Sequence, residues 1–61
     1  MKPSEMAKLV SKQGCTIKRH GSRHDIWFNP KTGGESSIPR HKSQDIPKGT
    51  AERILTDLGL K

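Results

Sequence analysis

Cys15-Thr16-Ile17-Lys18-Arg19-His20-Gly21-Ser22-Arg23-His24-Asp25-Ile26-Trp27-Phe28-Asn29 reads as two strands joined at a glycine corner. Cys15 to Arg19 alternates, with Cys15 and Ile17 on one face and Thr16 and Lys18 on the other. His20 to Arg23 is the corner, where Gly21 tolerates a positive φ. His24 to Asn29 is the second strand. Ile26 and Phe28 share one of its faces, Asp25 and Trp27 the other, so His24 and Asp25 point apart.

Working outward, Pro30-Lys31-Thr32-Gly33-Gly34 is a turn by composition. Glu35 to Pro39 is a third, short strand, with Pro39 suited to an edge or a strand end. Before the hairpin, Met6, Leu9 and Val10 fall at i, i+3 and i+4, the spacing of one helix face. Ser4 is the expected N-cap, Glu5 suits the positive end of the helix dipole, and Gly14 stands where a left-handed residue would end the helix. After a polar segment, Arg40 to Lys48, the positions of Ala51, Ile54, Leu55 and Leu58 predict a second helix. Thr50 or Gly49 would cap its start. Gly59 would end it, with Leu60 packed on Leu55. The expected fold is α+β, in the order α-β-β-β-α. A three-stranded antiparallel meander carries both helices on one face, leaving the other face open and basic. In outline this resembles a small double-stranded-RNA-binding domain.

Sixty-one residues suit one domain, expected to span 1–61. A chain of that size buries only about 60% of the surface it exposes when unfolded. With 28% apolar residues it can form one small core and no deep pocket. Twelve Lys and Arg against six Asp and Glu give a net charge of +6, which favours a polyanionic partner. Lys18, Arg19, Arg23, Lys31, Arg40, Lys42 and Lys48 gather on strands and loops, as a phosphate track would. A single cysteine excludes an internal disulfide, and no apolar run is long enough to span a bilayer. No basic amphipathic helix carries aromatic anchors for a membrane surface. A reduced cytoplasm is the expected setting.

His24 is the leading candidate for chemistry. It stands beside a glycine corner among Lys18, Arg19 and Arg23, and imidazole is the side chain suited to proton transfer near neutral pH. His20 and His41 are further histidines without such context. Cys15, His20 and His24 have a C-x4-H-x3-H spacing. On extended strands, however, that spacing is too long for one metal, and no second cysteine completes a tetrahedral set, so no metal site is expected. Cys15 alternates with Ile17 and reads as core rather than nucleophile. Trp27 and Phe28 are adjacent, so each strand face receives one ring; both can help to cover the thin core, and whichever faces out could instead stack on a base. Asp25 is free to pair with a neighbouring cation.

The order and spacing of Gly21-Ser22-Arg23-His24-Asp25-Ile26-Trp27, Ile38-Pro39-Arg40-His41, Asp45-Ile46-Pro47-Lys48-Gly49-Thr50, Arg53-Ile54-Leu55 and Leu58-Gly59-Leu60 resemble the HicA toxin family over nearly the whole chain. In many members the histidine directly follows Gly-Ser; here Arg23 intervenes. The resemblance implies a metal-independent endoribonuclease acting on mRNA, with His24 catalytic and no cofactor. It also implies a HicB-type antitoxin that covers the active site, and hence a hetero-oligomer. Substrate contacts would come from Lys18, Arg19, Gly21, Ser22, Arg23, Arg40 and Lys42. The rival reading is an RNA-binding module of the same fold without activity.

Overall fold

A computed structural model describes residues 1–40 and 44–61. Two residues singled out above, His41 and Lys42, lie outside the described residues. The element order is α1 (Pro3–Lys12), β1 (Thr16–His20), β2 (His24–Phe28), β3 (Glu35–Pro39) and α2 (Lys48–Asp57). The strands form one antiparallel sheet in the order β1-β2-β3. This is the expected α-β-β-β-α architecture.

Both helices contact β3, and their buried residues meet one face of the sheet. Met6 and Val10 of α1 and Ala51 and Ile54 of α2 join Trp27, Ile38, Cys15, Ile46 and Leu58 in one core. Ile46 was not expected there. Its N–H donates to the Met1 carbonyl at 2.7 Å, which draws the segment before α2 against the start of the chain. Trp27 is the inward ring; Phe28 is half-buried on the open face.

Ile17 departs from the sequence reading. It pairs with Trp27 yet stays 41% exposed, because the helices lie over β3 and leave β1 uncovered. Cys15 is buried as expected, and burial pushes its thiol pKa up. It lies just before β1, since its N–H is used to close α1 on the Val10 carbonyl at 3.0 Å.

An extra residue at Lys18 interrupts the β1–β2 ladder between the pairs Ile17–Trp27 and Arg19–Ile26. Simple alternation would send Arg19 to the face of Ile17. The irregularity instead sets Lys18 and Arg19 together on the open face and turns His20 to the face of Asp25, its cross-strand partner.

The helix starts also differ from expectation. Lys2, not Ser4, is the N-cap of α1, with Pro3 at the first helical position, where a missing N–H costs nothing. The Glu5 carboxylate accepts the Lys2 N–H at 3.0 Å. Pro47 precedes α2, so Lys48, Gly49 and Thr50 form its first turn. The helix ends are as read. Gly14 and Gly59 have positive φ, and Leu60 N–H reaches the Leu55 carbonyl at 2.8 Å.

Candidate active site

His24 opens β2, is exposed, and pairs with Pro39. Alternation places it on the open face with Ile26 and Phe28. Its imidazole has no hydrogen-bond partner among the described residues.

The corner that delivers His24 is tight. Gly21 N–H donates to the His24 carbonyl at 2.9 Å, with Ser22 and Arg23 at the tip. Gly21 does not have the positive φ expected of it. Glycine is required there for another reason: a Cβ would lie 2.6 Å from the His24 carbonyl oxygen. The close approach is to the backbone of His24 itself.

Asp25 points to the other face and is buried. Its Oδ1 lies 2.7 Å from His20 Nδ1 and 3.3 Å from Arg40 Nη1. The second terminal nitrogen of Arg40 donates to the Gly21 carbonyl. The Arg40 backbone N–H donates to the Arg23 carbonyl at 3.2 Å. Sequence spacing allowed Asp25 a cationic neighbour but did not name it. The pairing depends on the extra residue in β1 and on β3 ending beside the corner, and neither has a sequence signature.

The candidate cations fall into two settings. Lys18 sits 5.6 Å above the Phe28 ring and 2.6 Å from Glu35, so its charge is already paired on the open face. With Arg19, Ile26 and Glu35 it lines a shallow recess of about 230 Å³. At the corner, Ser22, Arg23, Arg40 and Gln44 line another, of about 520 Å³. His24 stands in the chain between Arg23 of one recess and Ile26 of the other. Arg40 is committed to Asp25 and Gly21, whereas Arg19 and Arg23 have no ion-pair partner among the described residues. Gln44 was not anticipated as a lining residue.

Cys15 is in the core while His20 and His24 are exposed, and the described residues contain no group of three or more His, Cys, Asp or Glu placed to hold a metal. No helix of the described residues is long and apolar enough to cross a membrane.

With this geometry in place, comparison with known proteins is specific. The family model described as the HicA toxin of bacterial toxin–antitoxin matches residues 3–60. A protein of Photorhabdus laumondii named probable mRNA interferase HicA 2 is 31% identical over 61 residues, covering all of both chains. The fold matches a chain in the crystal structure of the E. coli HicAB toxin–antitoxin complex with a TM-score of 0.81 and 32% identity. The match covers 98% of this chain and 100% of that one.

Proposed function

From the premise that the chain belongs to the HicA toxin family, we propose that it is an mRNA interferase in which His24 carries the proton transfer. RNA supplies its own nucleophile, the 2′-OH. Attack of that oxygen on the adjacent phosphorus breaks the bond to the 5′-oxygen. The protein has to take one proton, return one to the leaving oxygen and neutralise the phosphorane. An exposed imidazole at the head of β2 suits the role of general base or acid. Arg19 and Arg23, with Ser22 beside Arg23, supply positive charge and a donor on either side of it. Lys18 contributes from its pairing with Glu35, and Lys42 completes the set of substrate cations. No metal or cofactor enters the scheme.

The observation that carries this reading is that His24 is exposed at the head of β2, with its chain neighbour Arg23 lining one cation-bearing recess and Ile26, two residues on, lining another. The solved relative is a toxin–antitoxin complex, which supports a HicB-type antitoxin as the protein partner. A basic open face would receive an acidic surface and lose access to RNA. The setting proposed for both is the cytoplasm.

The test uses purified protein and single-stranded mRNA with chelator present. His24→Ala should slow cleavage by about 10²–10⁴-fold while RNA binding and melting temperature stay as in the parent. Undiminished cleavage removes His24 from the mechanism, and a requirement for added divalent metal overturns the metal-free scheme. Binding without cleavage by the parent protein would favour the inactive RNA-binding module.

A further inference from the structure

The His20–Asp25–Arg40 cluster is left unused by the chemistry above. Resting on the reading of His24 as the reacting imidazole, we propose that Asp25 and Arg40 are positioning residues. They fix the corner 21–24 from beneath the sheet, and with it the His24 side chain, without touching RNA.

A buried carboxylate is costly unless it is paired and hydrogen-bonded. Asp25 is 7% exposed, and one of its oxygens is shared by His20 at 2.7 Å and Arg40 at 3.3 Å. Arg40 spans two targets with one planar group, Asp25 through Nη1 and the Gly21 carbonyl through Nη2. A guanidinium fork can do this; the single ammonium of lysine cannot. The Arg40 N–H holds the Arg23 carbonyl, and Gly21 N–H holds that of His24. Three of the four corner residues are thus tied to the cluster directly or through one hydrogen bond. Asp25 and His24 point to opposite faces, so the influence runs through the corner backbone.

This separates Arg40 from Arg23, although both line the same recess. Arg23 is a phosphate cation; Arg40 is spent on the clamp. A cation that meets phosphate lowers the log–log salt slope of RNA binding by about 0.7–1 when removed. A clamp residue leaves that slope alone and lowers turnover. A displacement of about 1 Å at a reacting group can cost about a hundredfold.

The experiment compares the full-length parent with Asp25→Asn, Arg40→Lys, the double variant of these two, Arg23→Ala and His24→Ala, and adds Arg40→Ala for the salt slope alone, where it should match the parent. Asp25→Asn and Arg40→Lys should each lower kcat about 10- to 100-fold, with KM and salt slope unchanged. The double variant should cost no more than the worse single, since the pair acts as one unit. Arg23→Ala should raise KM and flatten the slope by about one. The His24 imidazole NMR signals should move in the two clamp variants and hold in Arg23→Ala. Parent-like kcat and His24 signals in both clamp variants overturn the proposal, as does a salt slope in Arg40→Ala flattened as much as that of Arg23→Ala. If Asp25→Asn does not fold, Arg40→Lys, which keeps the charge, decides alone. An active His24→Ala protein sinks the catalytic reading instead, and the NMR comparison still judges the clamp.

Discussion

The sheet has two connections, and they are anchored by opposite means. The corner at 21–24 is held by a buried charge: Asp25, Arg40 and His20 tie it to the end of β3. The turn at 29–34 is held by a neutral amide. Asn29 is 2% exposed, donates from Nδ2 to the Leu58 carbonyl at 2.7 Å and accepts the Lys31 N–H at 3.0 Å. Thr32 adds a second donor to Leu58, at 3.1 Å. The neutral anchor fastens the sheet to the C-terminal end of α2 and serves the core. The charged anchor lies beside α1, where Asp25 and Arg40 line a recess with Ser4 and Ala7, and it presents an exposed histidine. A neutral buried amide is satisfied by two or three bonds, whereas a buried carboxylate demands cations in fixed directions. That demand gives the corner its directional rigidity.

Two glycines give the sharpest way to break this comparison. Neither Gly21 nor Gly34 has a positive φ, and each permits a close backbone approach. A Cβ on Gly21 would lie 2.6 Å from the His24 carbonyl oxygen; one on Gly34 would lie 2.1 Å from that of Asp57. Gly21→Ala should lower kcat for RNA cleavage by about a hundredfold through displacement of His24. Its melting temperature should fall less than that of Gly34→Ala. Gly34→Ala should lose about 1–3 kcal/mol of stability and keep its activity per folded molecule. Cleavage kinetics and thermal melting of both variants decide it. An active Gly21→Ala protein, or an inactive Gly34→Ala protein at full stability, would show that the two turns do not divide the labour this way.

The sequence carried the periodic part of this structure. Ala51, Ile54, Leu55 and Leu58 at helical spacing, Gly14 and Gly59 at helix ends, and the alternation of Asp25 to Phe28 each follow a local rule that the tertiary structure respects. The exposed position of His24 was legible as well, because alternation from Ile26 and Phe28 fixes its face. What local rules missed was set by long-range geometry. The extra residue at Lys18 reversed the faces of Arg19 and His20. Backbone requirements at Pro3 and Pro47 outweighed the capping side chains of Ser4 and Thr50. Arg40 read as one more surface cation because nothing in Pro39-Arg40 announces that its guanidinium turns to Asp25. Gly21 was picked out correctly as special, but its constraint is a contact with His24, which a φ-based argument does not contain.

The smallest expected effect concerns β1, where the two anchoring schemes leave a strand with no helix above it. All five residues of β1 are exposed, and Ile17, on the core side, is 41% exposed. An apolar side chain so placed gains little from the fold, so Ile17→Ser should change stability by no more than about 0.5 kcal/mol. Trp27, its cross-strand partner, is 8% exposed and belongs to the core. Denaturant melts of Ile17→Ser and Ile38→Ala make the contrast quantitative. The second variant should lose about 2–5 kcal/mol, as a buried Ile→Ala replacement does. A loss at Ile17 approaching that at Ile38 would mean that β1 packs against something in solution, such as a second protein. The core would then extend across a strand that is open in the isolated chain.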